Sequence, residues 1–508
     1  LTARELHAAA RSEAPSLRQK VLGACSKERK PVILEGLLRE ELRSADPTRA
    51  AWAESFLKAS RLLPAESRAV ALEAASQLIP GSLKEALEKL APLFEEARDA
   101  ESSIAVLAAA LGEWQALPLS RQDEEWRGLL QRTAEMEAYE PSSLWKGLQS
   151  GIRFLREGKP AVGDPLAALA AALVEGPRFW MDDDRIAVDA LRRMAAGPQP
   201  HGAAFLLDLE QALGVDDEQE RNVVLTAGLE WLAAHPPGLA GLGALAVEVS
   251  RNTRDQTPDM LAASLACRRI AADAAETALR HQATFLHRVA ELRTENQKER
   301  RNAVFEGLEG LNARPGSPAS HLGALGGRAI RRFEQAGLDQ VQAARLLLEE
   351  LRLQADDMGK PGEAGVFACV ESLLNTPLAG DRDRKALAGA VADAFEGSRF
   401  DPGWPGLVLG SALERLSEEA VARLTRVFLD GLEKAAEAWG DGQLTPPLVA
   451  EARAGADLKE LCRKLGELHG EAFEVAALAR PAGRSRIEER DEMVIVGGVP
   501  IRKNSTQE

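Results

Sequence analysis

Prolines recur along this chain where helices would begin, and early in the sequence they are spaced by about one helix and one turn. A proline in the first helical turn loses no hydrogen bond, and its φ angle is already suitable. Inside a helix it costs about 3 kcal/mol or more. Read this way, Pro47, Pro64, Pro80, Pro118, Pro141, Pro165 and Pro258 each mark a helix start. Pro47 and Pro64 lie 17 positions apart, and Pro64 and Pro80 lie 16 apart. Two such intervals make a helical hairpin, and hairpins that bury a face only against their neighbours must stack.

Between the prolines the apolar spacing is helical. Ala71, Leu72, Ala75, Leu78 and Ile79 share one face, as do Trp126, Leu129, Leu130 and Thr133. The stretch LSEEAVARLTRVFLDGL at 416–432 places Ala420, Val421, Leu424, Val427 and Phe428 together. Ser417 stands ahead of them as a cap, with Glu418 and Glu419 in the first turn, where acids are favoured. Hydrophobic residues make up 45% of the chain, enough for a core, yet aromatics are only 4% and there is one Tyr. Good helix formers are thus abundant and strand formers scarce. The expected fold class is all-α, a HEAT/armadillo-like helical-hairpin solenoid in two halves with a short strand-like C-terminal tail. The competing arrangement is an irregular helical globule.

The segment LPAESRAVALEAASQLI, Leu63 to Ile79, reads L-P-x3-R-x2-A-L-x2-A-x2-[LI]. Partial copies follow: Leu117-Pro118 has Arg121 one position early, and Leu416-Ser417 lacks the proline. This unit resembles the degenerate HEAT/armadillo-like repeats of type III secreted effectors from plant-pathogenic bacteria, the XopP/HLK group. The resemblance implies that Leu63 and Pro64 open a unit, that Arg68 is its polar mark, and that Ala71, Leu72, Ala75 and Ile79 are its buried side. It further implies a virulence protein injected into the host cytoplasm, where it binds host proteins of immunity or trafficking.

The linker-like stretch NARPGSPAS, Asn312 to Ser320, holds two prolines and a glycine that a helix cannot cross at this spacing. It divides the expected organisation into a helical-repeat half at 1–312, a linker at 313–320, a second helical-repeat half at 321–480 and a tail at 481–508. A second soft joint is expected near 357–365. The proline-free region 258–310 is expected to hold unusually long helices.

The tail departs from this texture. Met493 to Val496 is strand-like, Gly497-Gly498 is a turn, and Val499-Pro500-Ile501 is a second apolar patch. A lone hairpin is barely stable in water, so it either docks on its own body or adds to a partner's sheet edge. Val494, Ile495, Val496, Val499 and Ile501 are therefore candidate partner-binding residues. If the tail docks on the body, removal of residues 493–508 lowers the melting temperature; an unchanged melt excludes that alternative. Arg300 and Arg301 are the other candidates. They end the most basic stretch, which also carries Arg268, Arg269, Arg280, Arg288, Arg293 and Lys298. That stretch is either a solvated face or one wall of a groove for an acidic peptide or a phosphoinositide headgroup.

Several chemistries find no support in the sequence. A net charge of −15 opposes general nucleic-acid binding and adsorption to anionic membranes. No apolar run approaches the ~20 residues of a membrane span. Cys25, Cys267, Cys369 and Cys462 form no CxxC motif and read as buried thiols of a reducing compartment. Asp182 to Asp184 and Asp216-Asp217 read as helix caps, and His281 and His287 are six apart, the wrong spacing to share a metal. LGALGG at 322–327 follows no strand, and helix packing or a bend accounts for its glycines. The expectation is a protein-binding scaffold without catalytic residues, metal or cofactor. The alternative is a structural or assembly scaffold of the bacterial cytoplasm, with a motif-free enzyme as a third reading.

Overall fold

The computed structural model describes residues 100–113 and 119–479, short connecting segments excepted, with three strands between 489 and 502 and positions 83, 84 and 87. The repeat unit at 63–79, the helix starts at Pro47, Pro64, Pro80 and Pro118, the acids Asp182, Asp216 and Asp217, and Cys25 lie outside the described residues. Two compact units divide the chain, Leu1–Asp273 and Ala274–Glu508.

The first unit contains α1 (Ala100–Glu113), α2 (Arg121–Ala134), α3 (Pro141–Glu157), α4 (Pro165–Glu175) and α5 (Asp183–Ala195). It continues with α6 (His201–Leu213), α7 (Glu218–Ala234), α8 (Leu242–Asn252) and α9 (Gln256–Asp273). Two rows form. In one, α2 packs on α5, α5 on α6 and α6 on α9; in the other, α3 packs on α4, α4 on α7 and α7 on α8. The chain crosses between rows within each hairpin and enters the next hairpin along the same row.

The second unit repeats the pattern with α10 (Thr277–Ala290), α11 (Gln297–Gly310), α12 (Pro318–Gln335), α13 (Gln340–Asp357) and α14 (Pro361–Asn375). Then follow α15 (Asp381–Asp393), α16 (Trp404–Ala412), α17 (Glu418–Trp439), α18 (Thr445–Arg453) and α19 (Leu458–Ala479). One row runs α11, α12, α15, α16, α19 and the other α10, α13, α14, α17, α18, each helix packed on the next in its row. The expected all-α, solenoid-like stack of helical hairpins is what each unit contains.

Local chemistry explains several helix ends. Pro141, Pro165, Pro318 and Pro361 are the first residues of their helices, and Pro258 sits in the first turn of α9. The Asp164 carboxylate accepts hydrogen bonds from the Leu166 and Ala167 amides at 2.8 and 3.2 Å, capping α4. Ser417 Oγ accepts from the Ala420 amide at 3.3 Å, and Asp383 accepts from both the Ser417 amide and its hydroxyl, tying α15 to the start of α17. Leu424 and Phe428 are fully buried behind that cap. At its far end α17 closes on Gly440, whose φ of 79° suits a residue without Cβ, and the Asp441 amide donates back to Ala436 O at 2.8 Å.

One helix end is closed by another part of the chain. Gly163 and Asp164, just ahead of α4, donate their amides to the Ala233 and Leu232 carbonyls at the end of α7, at 3.3 and 2.9 Å. A Cβ at position 163 would stand 2.3 Å from Leu232 O, so only glycine lets the two backbones approach this closely.

Region 258–310 does not hold the long helices expected of it. The chain breaks at 274–276 and again between Glu291 and Gln297, giving three helices of ordinary length. Arg300 contributes to the second break, because its guanidinium donates to Leu292 O at 2.7 Å and satisfies a carbonyl just past the end of α10. The proline-rich segment 312–320 lies inside the second compact unit: Pro318 opens α12, which packs on α11. Of the segment 357–365, Asp357 ends α13 and Pro361 begins α14, so the expected joint is a tight helix–helix turn.

Among the described residues the core is mostly Leu and Ala, with one aromatic concentration. Phe367, Phe395, Phe400 and Trp404 pack with ring centroids 5.0 to 5.9 Å apart. The glycines of LGALGG serve packing, as expected: a Cβ at Gly323 would strike Phe395, and one at Gly326 would strike Leu347, each at 2.3 Å. Cys267, Cys369 and Cys462 are free and buried, and burial pushes each thiol up to about 12. They behave as small hydrophobes. No described helix is long and apolar enough to cross a membrane.

In the tail, β2 (Met493–Val496) pairs antiparallel with β3 (Val499–Arg502), with Val494 opposite Ile501 and Val496 opposite Val499. A two-residue strand β1 (Glu489–Arg490) adds to the other edge of β2. The two strand-like runs of the sequence are thus strands of one small sheet.

Candidate functional site

The row of α2, α5 and α6 in the first unit carries a buried charge cluster. Its organising residue is Asp189 of α5, only 8% exposed. A carboxylate this deep needs charged donors around it, and it has two. Arg132 of α2 donates from Nε at 3.2 Å, and Arg193, one turn further along α5, donates from its own Nε at 2.9 Å. Arg193 also donates from Nη2 to Gly128 O at 3.3 Å, which fixes the guanidinium against α2.

Two hollows open on either side of Arg132 and Glu135. The first, about 470 Å³, has Met136 and Val188 as its apolar part, and Arg185, Arg192 and Glu210 among its charges. The second, about 580 Å³, runs along α2 past Arg121, Glu124, Arg127 and Gln131 to Arg193. Asp189 holds the Nε edges of Arg132 and Arg193, and the Arg132 side chain is 61% exposed. Arg192 is exposed and has no ion-pair partner among the described residues. A guanidinium held in this way is preorganised to take a carboxylate in bidentate fashion, with little side-chain entropy left to lose. Acids and arginines alternate along the hollows, which suits the mixed charge of a protein surface better than a polyanion.

The arginines singled out in the sequence make contacts within their own units. Arg268 and Arg269 belong to α9 of the first unit, whereas Arg280, Arg288, Arg300 and Arg301 lie on α10 and α11 of the second. Arg269 contacts Asp208 at 2.5 Å, Arg288 contacts Glu349 at 2.7 Å and Arg280 contacts Asp357 at 3.5 Å. Arg300 serves the Leu292 carbonyl, and the Arg301 guanidinium lies 4.8 Å from the centre of the Phe305 ring. These groups are engaged within their own helical stacks. Arg293 lies outside the described residues. The tail candidates Val494, Ile495, Val496, Val499 and Ile501 come together on β2 and β3.

The hollow was not visible in the sequence. Arg132 and Asp189 are 57 positions apart, and neither belongs to a motif. The only local hint is the i,i+4 spacing of Asp189 and Arg193 on one helix.

Two further clusters and one buried acid bear on chemistry. His281 of α10 and His287, one and a half turns on, do not converge: His281 is buried between Glu350 and Asp357, and His287 faces Glu291 at 3.5 Å. Near the end of the second unit, Thr445 Oγ donates to Asp441 at 2.5 Å and lies 2.9 Å from His469 Nε2. Burial opposes the charge of Asp441, but the Thr445 hydroxyl and the amides of Leu444, Thr445 and Gln443 outweigh it and lower its pKa. Burial raises the pKa of Asp401. Among the described residues no group of three His, Cys, Asp or Glu is placed to hold a metal ion.

No family model, curated protein or solved structure matches the chain.

Proposed function

We propose that the chain is a non-enzymatic protein-binding scaffold, and that the α2–α5–α6 hollow of its first unit is a contact surface for a partner protein. The observation that carries this reading is the Asp189-anchored pair of guanidiniums between two open hollows. The pair is held by Asp189 and the Gly128 carbonyl, is partly exposed, and has Met136 and Val188 in the hollow on one side, features that suit an interface anchor. The biological setting is proposed from the resemblance at 63–79: a type III effector delivered into the plant cytoplasm, engaging host proteins of immunity or trafficking. A bacterial structural or assembly scaffold is the second reading, since the same stack would serve it equally well.

The test is affinity capture from plant extract with three chains: the wild type, the double charge reversal R185E/R192E, and a chain lacking residues 493–508. The two arginines are exposed, so the reversal leaves the core intact; its melting curve checks that. A reproducible set of plant proteins, reduced at least about tenfold by the reversal, is the expected result. Undiminished capture by the reversed chain rejects the hollow as the contact surface, and loss only on truncation moves the site to the tail. If plant extract yields no specific protein while bacterial lysate does, the host setting is wrong and the second reading stands.

A further inference from the structure

His281 is 6% exposed, yet both of its ring nitrogens face carboxylates. Nδ1 lies 2.5 Å from Glu350 Oε1, and Nε2 lies 3.1 Å from Asp357 Oδ2. A neutral imidazole has one N–H and one lone pair, so it can donate to only one of these acceptors. With the carboxylates ionised, both contacts require the doubly protonated ring. The two acceptors sit on α13, one in its last turns and one at its end, so the ring joins α10 to α13.

We propose that His281 is a proton-operated clamp between α10 and α13, closed while the imidazole carries both protons and released when it loses one. The surrounding charges support this. On α10, Arg280 lies 3.5 Å from Asp357 and Arg288 lies 3.6 Å from Glu350 and 2.7 Å from Glu349. With the imidazolium, three cations face the three acids Glu349, Glu350 and Asp357. Loss of the proton leaves one excess negative charge beside Glu350, which is 2% exposed and has little water to turn to. Neighbouring charges are engaged elsewhere. Arg332 of α12 is directed to Glu299 and Glu306 of α11, and His287 to Glu291.

The titration direction agrees. Burial works against the charged ring, but the hydrogen bonds and charges of Glu350 and Asp357 outweigh it and hold the pKa above 6.5. A group whose folded pKa is raised stabilises fully below its unfolded value, and that contribution fades as pH rises through the folded value. The second unit therefore loosens on the alkaline side.

The experiment is hydrogen exchange with mass spectrometry on the full chain from about pH 5 to about pH 9, corrected for the intrinsic pH dependence of exchange. Peptides from α10 and α13 are compared with peptides from α4 and α7 of the first unit. The expected result is a loss of protection in α10 and α13 alone, about tenfold for each pH unit by which the folded pKa exceeds the unfolded one. H281Q, which carries no titrating proton, should show flat corrected protection. If H281Q fails to fold, D357N decides the matter. Asp357 is half exposed, and its loss moves the transition to lower pH without emptying the core. Flat protection in the wild type, or the same slope in wild type and H281Q, overturns the clamp. So does an unmoved transition in D357N.

Discussion

Replacing Trp404 with alanine is expected to lower the stability of the second unit by about 3–5 kcal/mol. The indole is fully buried and sits among the few large rings of the chain, with centroids 5.2 Å from Phe395, 5.5 Å from Phe400 and 5.7 Å from Phe367. Its Nε1 donates to Ala394 O at 3.1 Å. Those rings come from α14, from the segment around 395–400 and from α16 itself, so the cavity would open where two rows meet. Leucine and alanine neighbours elsewhere cannot swing in to fill a volume of that size. W404F separates packing from hydrogen bonding, since it keeps an aromatic ring and removes the donor; a cost of about 1–2 kcal/mol is expected there. Denaturant unfolding followed by exchange of second-unit peptides measures both, because a two-unit chain need not unfold in one step. A loss below about 1 kcal/mol for the alanine variant would contradict the aromatic cluster.

Gly163→Ala is expected to cost the first unit about 3 kcal/mol, from overpacking and two weakened backbone bonds. The new Cβ would meet Leu232 O at 2.3 Å, His235 O at 2.6 Å and His235 N at 2.7 Å, all backbone atoms that no rotamer change can move aside. The segment ahead of α4 must then lift away from α7. That strains the amide bonds from Gly163 and Asp164, and it displaces the carboxylate that caps α4. Gly238→Ala is the control, because nothing lies within 4 Å of a Cβ there. Melting curves of the two variants should diverge, with Gly238→Ala close to wild type. Coincident curves would mean that the backbones are not in close approach.

Legibility in the sequence followed the range of each interaction. Pro141, Pro165 and Ser417 act on the turn in which they sit, so they read correctly as starts. The buried faces of α2 and α17 largely follow from spacing: Leu129, Leu130 and Thr133 are buried, as are Ala420, Leu424 and Phe428, while Val421 and Val427 are half-buried at the edge. Trp126 stands partly out, with its indole N–H on Pro165 O at 3.3 Å. The break after α10 did not read, because it is stabilised by Arg300 reaching back eight positions to a carbonyl, and no proline or glycine announces it. His281 and Asp189 find their partners 57 to 76 positions away, and a lone histidine or aspartate carries no mark of such a partner. Apolar faces likewise predict that hairpins stack, but not on which row the next hairpin enters.

That order of rows has an electrostatic consequence. Connections such as 196–200, 358–360 and 376–380 are too short to carry the chain back along a helix, so successive helices within a unit run antiparallel. Since the chain enters each new hairpin along the row it has just occupied, neighbours within a row also point in opposite directions. In a solenoid whose equivalent helices all run the same way, positive amino ends gather along one rim and negative carboxyl ends along the other. Here the ends alternate, and each partial charge sits beside its opposite. Among the described helices of each unit, the rims therefore build up little field from their macrodipoles and offer no ladder of amino ends to a phosphate chain. Whatever charge selectivity the stack has is written in its side chains.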